Sequence, residues 1–231
     1  MCIRDRWLET DIGAHSINID RSNRYAFVPH IARIQDNVLG PPPEELGPNV
    51  IYQFQFDQDN GTLSPNTPLK LEMEGFLGPR HYCYHPSLDI VYFSNEQGCS
   101  VSSYRLDEVS GTLSPMQIIS TVPEGYDGRN TCSQIQMNAA GSLLYVPNRG
   151  HNSICGFAVD LSGWLSSVGQ VPTEAVPSAF SLDTTGNFLF AAGSASDRLA
   201  SYRVNQDTGS LSVLDTHEIG KRPMEVLAIS F

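Results

Sequence analysis

The stretch Gly78–Gln97, GPRHYCYHPSLDIVYFSNEQ, decides the fold of this chain. It contains two short strand-like runs, Tyr82–Tyr84 and Ile90–Ser94, and the residues between them include the turn formers Pro, Ser and Asp. We therefore predict an antiparallel pair, in which the start of the first strand and the end of the second share one edge of the sheet. Arg80 stands just before the first run and Glu96 just after the second, so the pairing brings a guanidinium and a carboxylate together.

These two charges suit an anionic ester as a substrate. An arginine binds an anionic group through two parallel hydrogen bonds, and a glutamate accepts a proton. The alternative is an ion pair at the end of two strands that has no chemical role. The choice depends on which other residues the fold brings to the same edge.

The same unit occurs four times along the chain. Each copy consists of an apolar run, a turn, a second run, a third run that ends in Asp or Asn, and the tripeptide Gly-x-Leu. The glycines of the four tripeptides are at positions 61, 111, 163 and 209, so successive copies are 50, 52 and 46 residues apart. These intervals match the length of a four-stranded propeller blade.

A fourth strand is predicted after each tripeptide, around Leu69–Met73, Ile118–Val122, Gly169–Pro172 and Thr216–Ile219. We therefore predict an all-β chain that forms a β-propeller of four-stranded antiparallel blades, with almost no helix. A β-sandwich is the alternative, but it does not explain a repeat carried through four successive units. The run Glu225–Phe231 is predicted to begin a fifth unit, which gives about four and a half blades.

Basic, imidazole and amide side chains collect at one mouth of the predicted channel. The first strand of each blade lines that channel, and its start shares a face with the end of the second strand. The residues at these positions are His15, His30, Arg80, His81, Asn95, Glu96, Asn130, Gln134, Asn148, Arg149 and Ser178. An ordinary strand histidine at His15 and a solvent-facing side chain at His30 are the structural alternatives.

Two insertions lengthen the loops of the repeat. Ala32–Asn49 carries three consecutive prolines, and Pro123–Cys132 is rich in turn residues. Both are expected to rim one face of the propeller, and the second leads into an innermost strand and is expected to reach the channel mouth.

The composition excludes several kinds of partner. The chain has 25 acidic and 14 basic residues and a net charge of −11, which argues against nucleic acid and anionic membranes. No apolar run approaches the roughly 20 residues of a membrane span. No nucleophile elbow, zinc helix, P-loop or zinc-type cysteine spacing occurs, so we expect neither a metal nor another cofactor. The cysteine spacings favour a cytoplasmic protein.

The first residues differ in character from the rest of the chain. Met1–Arg6, MCIRDR, has the look of translated sequencing-adapter sequence, so we expect it to be an artefact and the native N-terminus to be missing. We assign residues 1–231 to a single propeller domain that is incomplete at its N-terminus.

Several motifs carry a family resemblance. GPRHYCYHP followed by SNE, the segment PNRGHNSI and the Gly-x-Leu hairpins resemble the lactonase family of seven-bladed propellers, from about His15 to the C-terminus. That family includes propeller-type 6-phosphogluconolactonases and the fungal 3-carboxy-cis,cis-muconate lactonising enzyme. By motif, its site residues fall on His15, Arg80, Glu96 and Arg149.

The resemblance implies hydrolysis of a small anionic sugar lactone such as 6-phosphogluconolactone. In this hypothesis Arg80 and Arg149 hold the anion and the oxyanion, while Glu96 is the general base and His15 assists or orients it. Candidate substrate-binding residues are His30, His81, Asn95, Gln134 and Asn148. A muconate-type cycloisomerase and a non-catalytic binding scaffold are the alternatives.

The chain also departs from the family pattern. Many members have Glu where Gln134 stands and Arg where Ser178 stands, which leaves the choice of substrate open. Seven blades require about seven units, so four and a part predict the C-terminal portion of a longer protein. Alone, such a portion is expected to be inactive and poorly soluble, because its edge strands and blade faces are uncovered.

Overall fold

The structure is a computed structural model that describes residues 8–229. This part of the chain contains sixteen strands and no helix, and the strands form four antiparallel sheets of four strands each. The predicted all-β propeller of four-stranded blades is therefore confirmed. The predicted artefact Met1–Arg6 lies outside the described residues.

Each sheet contains four strands that follow one another in the chain. The first blade consists of β1 (Asn18–Ile19), β2 (Tyr25–His30), β3 (Val50–Asp57) and β4 (Thr62–Glu72). The second consists of β5 (Pro79–Tyr84), β6 (Ile90–Asn95), β7 (Ser100–Leu106) and β8 (Leu113–Ser120). The third consists of β9 (Gln136–Met137), β10 (Leu143–Asn148), β11 (Ser153–Val159) and β12 (Leu165–Pro172). The fourth consists of β13 (Pro177–Leu182), β14 (Phe188–Gly193), β15 (Arg198–Val204) and β16 (Leu211–Glu218).

Serine hydroxyls join neighbouring blades on the channel side. Ser16 Oγ donates to the carbonyl oxygen of Arg80 at 3.0 Å, and Ser94 Oγ donates to that of Ser133 at 3.0 Å. Ser133 Oγ in turn donates to the carbonyl oxygen of Pro177 at 2.9 Å. These bonds run from each blade to the next, so they help to fix the relative positions of neighbouring blades.

The Gly-x-Leu turn holds adjacent blades together as well as closing a hairpin. Tyr92 of the second blade donates to the carbonyl oxygen of Gly163 at 2.9 Å, and Tyr145 of the third donates to that of Gly209 at 2.8 Å. A Cβ added to Gly111 would lie 2.1 Å from the ring of Tyr25 in the first blade. The repeated glycine therefore permits close approach between blades, a role that the sequence pattern did not reveal.

Two strand predictions need correction. The fourth strands begin directly at the Gly-x-Leu turns, for example at Leu113 and Leu165, several residues earlier than predicted. Polar residues and a bulge between Ser103 and Tyr104 interrupt the apolar alternation there, so the early half was overlooked. Residues 225–229 of the predicted run Glu225–Phe231 form no strand, because the described chain offers no second strand after β16 with which to pair.

Two glycines with the same turn geometry allow the effect of backbone strain on stability to be distinguished from the effect of packing between blades. Gly61 and Gly111 have φ values of 66° and 69°, but a Cβ at Gly61 would meet nothing within 4 Å. We expect Gly61→Ala to lower the free energy of unfolding by about 1–2 kcal/mol through the left-handed backbone alone. Gly111→Ala should cost about 1–3 kcal/mol more, because its methyl group overlaps the Tyr25 ring. Urea unfolding of both variants measures the difference, and equal losses would contradict this account of blade packing.

Candidate active site

A β-bulge directs Arg80 out of its strand. The register of β5 against β6 shifts between Pro79 and His81, so Arg80 is an extra residue without a partner in β6. Bulges of this kind re-aim a side chain and occur next to active sites. The same shift occurs in the fourth blade between Pro177 and Ala179, which places Ser178 at the position that corresponds to Arg80.

Glu96 lies between two guanidinium groups. Its Oε2 atom is 2.7 Å from Nε of Arg80, and its Oε1 atom is 2.6 Å from Nη2 of Arg149. The side chains of Glu96, Arg80 and Arg149 are only 3%, 16% and 12% exposed. The hairpin prediction that Arg80 and Glu96 meet is confirmed, and Arg149 of the third blade completes the group.

The charges of this group are not fully satisfied by the protein. Arg80 Nε, Arg149 Nε and Glu96 Oε2 are buried, yet none of them makes a well-aligned hydrogen bond to a residue in the described part of the chain. Their ion-pair contacts are close but poorly directed. Buried polar atoms without an aligned partner are rare in folded proteins, and a catalytic role is one of the explanations for them. Two guanidiniums and one carboxylate also carry an excess positive charge.

Burial and mutual repulsion act on the arginines. Burial, followed by the charge of Arg149, lowers the pKa of Arg80 to about 10. Arg80 is therefore still charged at neutral pH, and the excess positive charge of the group persists there. An anionic ligand would relieve the repulsion between the two guanidiniums.

His15 has the protonation state of a base. Its Nδ1 atom lies 2.9 Å from the carbonyl oxygen of Gly13, which fixes Nδ1 as the donor and leaves the lone pair on Nε2. Burial, followed by the charge of Arg80, lowers the pKa of His15, so the ring is neutral at pH 7. The next residue, Ser16, donates to the carbonyl oxygen of Arg80 at 3.0 Å, so His15 lies near the charged group.

His81 is a second neutral imidazole at the mouth. Burial, followed by the positive charges of Arg80, His15 and Arg149, lowers its pKa to about 3. His81 therefore remains uncharged at neutral pH and can form hydrogen bonds without adding to the positive charge.

Three predicted substrate-binding residues are fully buried within the blades. His30, Asn95 and Asn148 each have 0% exposure, which excludes the alternative of a solvent-facing side chain at His30. His30 lies 2.8 Å from the carbonyl oxygen of Ile12 and packs on Tyr52, while Asn95 donates to Ser100 and Ser102. Asn148 bonds to Thr121 and Asn130. All three side chains are therefore enclosed by the protein and offer no surface to a ligand.

Gln134 is half-buried and engages the next blade. Its Oε1 atom accepts a hydrogen bond from the backbone N–H of Phe180 at 2.9 Å.

The two insertions meet at the same mouth, where Arg129 of the second forms an ion pair with Asp36 of the first. Sequence reasoning missed this pair, because its members are 93 residues apart and follow no periodic pattern.

Comparison with known proteins identifies the family. The sequence model described as "Lactonase, 7-bladed beta-propeller" matches residues 10–228. The chain belongs to this family. The described residues supply four of its blades.

The curated relatives carry one name. The chain is 31% identical to a 6-phosphogluconolactonase of Pectobacterium carotovorum, over 94% of this chain and 61% of the relative. It is 30% identical to a 6-phosphogluconolactonase of Yersinia pseudotuberculosis, over 92% of this chain and 59% of the relative. The chain thus spans about three fifths of the length of these relatives.

Solved structures share the fold. A protein from Lactobacillus plantarum has a TM-score of 0.79 at 27% identity, over 92% of this chain and 57% of that chain. The periplasmic gluconolactonase of Pseudomonas aeruginosa has a TM-score of 0.76 at 23% identity, over 90% of this chain and 55% of that chain. At that identity the second similarity concerns the fold alone.

The described residues form neither a metal-binding cluster nor a membrane-spanning helix. Residues 8–229 contain no group of three or more His, Cys, Asp or Glu side chains placed to hold a metal ion. The same residues contain no helix that could cross a membrane.

The contacts among Arg80, Glu96 and Arg149 lead to a prediction about stability. We expect Glu96→Gln to lower the free energy of unfolding by about 3 kcal/mol, because it leaves two guanidiniums without their counter-charge. Adding Arg80→Met to this variant should restore part of the loss by removing the repulsion. Urea unfolding measures both, with Glu124→Gln on an exposed loop as the matched control. A Glu96→Gln protein as stable as the parent would show that Glu96 does not neutralise the arginines.

Proposed function

We propose that the protein, of which these 231 residues are all or part, hydrolyses a small anionic sugar lactone of the 6-phosphogluconolactone class. The observation that carries the proposal is the buried, positively charged group of Arg80, Glu96 and Arg149 beside the neutral imidazole of His15. The names of the curated relatives support it, since they are 6-phosphogluconolactonases at 30–31% identity. Four free cysteines among the described residues support a cytoplasmic location.

The two arginines are suited to bind the anion and the reaction oxyanion. Arg80 contacts Glu96 through Nε at 2.7 Å, and its two Nη atoms carry further N–H donors that can bind an anion. Arg149 is held by two contacts of Nη2, one to Glu96 and one to the carbonyl oxygen of Cys132 at 2.9 Å. Fixed guanidiniums in a site from which water is largely excluded stabilise developing negative charge without having to reorganise.

The geometry changes the role proposed for Glu96. Both of its oxygen atoms face guanidinium groups, so Glu96 acts as their counter-ion, and a proton on either oxygen would disrupt the ion pairs. His15 is the better general base, because Nε2 carries a lone pair and the ring is neutral. We therefore assign the role of general base to His15 and not to Glu96.

The reaction then proceeds in two proton transfers. His15 Nε2 removes a proton from water, and the resulting hydroxide attacks the lactone carbonyl carbon. The guanidiniums stabilise the tetrahedral oxyanion, which collapses as the ring C–O bond breaks. The imidazolium of His15 returns its proton to the departing alkoxide, and the open-chain hydroxy acid is released. Water supplies both the hydroxyl group of the new acid and the proton of the new alcohol.

Substitutions at the site test these roles. We expect His15→Gln to lower kcat about 10²–10⁴-fold, as is typical for loss of a general base. Arg80→Met should lower kcat/KM by about 10²–10³-fold, because it removes an oxyanion donor. Hydrolysis of 6-phosphogluconolactone measures both, with His217→Gln at an exposed strand position as the matched control and carboxymuconate as the control substrate.

The pH profile gives an independent check. Because burial lowers the pKa of His15, its base form persists below the usual histidine range. The acidic limb of the pH profile should thus lie below the pH expected for an unperturbed histidine, whose pKa is about 6.5. Full turnover by His15→Gln, or turnover of carboxymuconate in place of the lactone, would overturn the proposal.

A further inference from the structure

The two insertions at the mouth are joined by side chains that the proposed mechanism does not use. Asp36 of the first insertion forms an ion pair with Nη2 of Arg129 in the second. Its other oxygen accepts a hydrogen bond from Nε2 of Gln97 at 3.1 Å. Gln97 Oε1 accepts in turn from the backbone N–H of Ala32, at the start of the first insertion, at 3.1 Å. One carboxylate therefore contacts both insertions and the residue that follows Glu96.

This carboxylate is well placed to hold its partners. The Asp36 side chain is only 4% exposed, and each of its oxygens has its own donor. A buried carboxylate deprived of a charged partner is strongly disfavoured, so the contact with Arg129 stabilises this arrangement of the insertions. In the first insertion, the bridge between Arg33 and Leu46 is the one β-type pairing among the described residues.

Glycine at position 78 makes room for the Gln97 side chain. A Cβ at Gly78 would lie 2.0 Å from Gln97 Oε1, and the φ of Gly78 is +68°. Gly78 also accepts the backbone N–H of Glu96 at 2.7 Å. The Gln97 contact and the position of Glu96 therefore depend on the same close approach of two chain segments.

Arg129 connects to the other side of the charge group. The next residue, Asn130, accepts hydrogen bonds from the backbone N–H groups of Gly150 and His151 at 2.9 and 3.0 Å. These two residues directly follow Arg149. Asp36 is thus linked to Glu96 through Gln97, and to Arg149 through Arg129 and Asn130.

We propose that Asp36 is a positioning residue that holds the two insertions together and sets the spacing of Glu96 and Arg149. The structural part of this inference stands on the contacts alone, whereas its consequence for turnover rests on the proposed function. Asp36 itself need not touch the substrate. Its effect passes through the backbone on either side of the two charged residues.

Hydrogen exchange tests the structural part directly. In Asp36→Asn the amide group presents N–H donors to partners that are themselves donors, so one contact is lost. We expect backbone amides in 32–49 and 123–132 to exchange at least about tenfold faster, with a smaller increase at 96–98 and 149–151. Asp127→Asn, the same substitution at an exposed site of the second insertion, should leave these rates unchanged. Unchanged exchange at 96–98 and 149–151 in Asp36→Asn would overturn the positioning role, whether or not the protein hydrolyses lactones.

Kinetics test the consequence for the site. A shift in the spacing of Glu96 and Arg149 should raise KM for the anionic lactone about tenfold. If Asp36 only stabilised the fold, its substitution would lower the fraction of folded protein. The apparent kcat would then fall, and KM would be unchanged. Arg129→Lys keeps the charge and should show a smaller rise in KM than Arg129→Gln. An unchanged KM with faster exchange would exclude positioning, whereas absence of turnover in the unmodified protein would contradict the proposed function alone.

Discussion

The site depends on one buried carboxylate that keeps two guanidiniums close together. Without Glu96, the charges of Arg80 and Arg149 would repel each other in a largely dehydrated environment. With it, the group retains a single excess positive charge and several polar atoms that lack aligned partners. The fold supplies the rigidity that holds this group, through serine hydrogen bonds between neighbouring blades and through the glycine turns that pack on the preceding blade.

The repeated blade explains how unlike residues reach the same place. The bridges that begin the first strands pair Ala14 with His30 and Pro79 with Asn95, and the next residues are His15 and Arg80. In the fourth blade the corresponding residue is Ser178, whose hydroxyl lies 3.1 Å from that of Ser194. One structural position thus carries an imidazole, a guanidinium or a hydroxyl group according to the blade. The blades thus share one backbone structure, and the side chain at this position differs from blade to blade.

The repeat made the fold predictable from the sequence, and with it the meeting of the main candidate residues at one edge. Periodic runs and turn residues are local features, and an antiparallel hairpin necessarily brings the residues before and after it to one edge. The roles were harder to predict. The position of Glu96 in the sequence does not show that Arg149 contacts its second oxygen. The position of Asn95 at the end of a second strand does not show that its side chain is fully buried and bonded to serines of the next strand. The Asp36–Arg129 pair joins two irregular loops, so no periodic pattern reveals it.

The most direct test of the account is a crystal structure of the protein with 6-phosphogluconate, the expected product of hydrolysis. The account predicts that an anionic group of this ligand contacts both Arg80 and Arg149, with the carboxylate carbon facing Nε2 of His15 across one water molecule. Glu96 should keep its contacts with both guanidiniums in that complex. A ligand bound away from these arginines, or a Glu96 released from them to face the ligand, would contradict the central claim that Glu96 organises a cationic site for an anionic lactone.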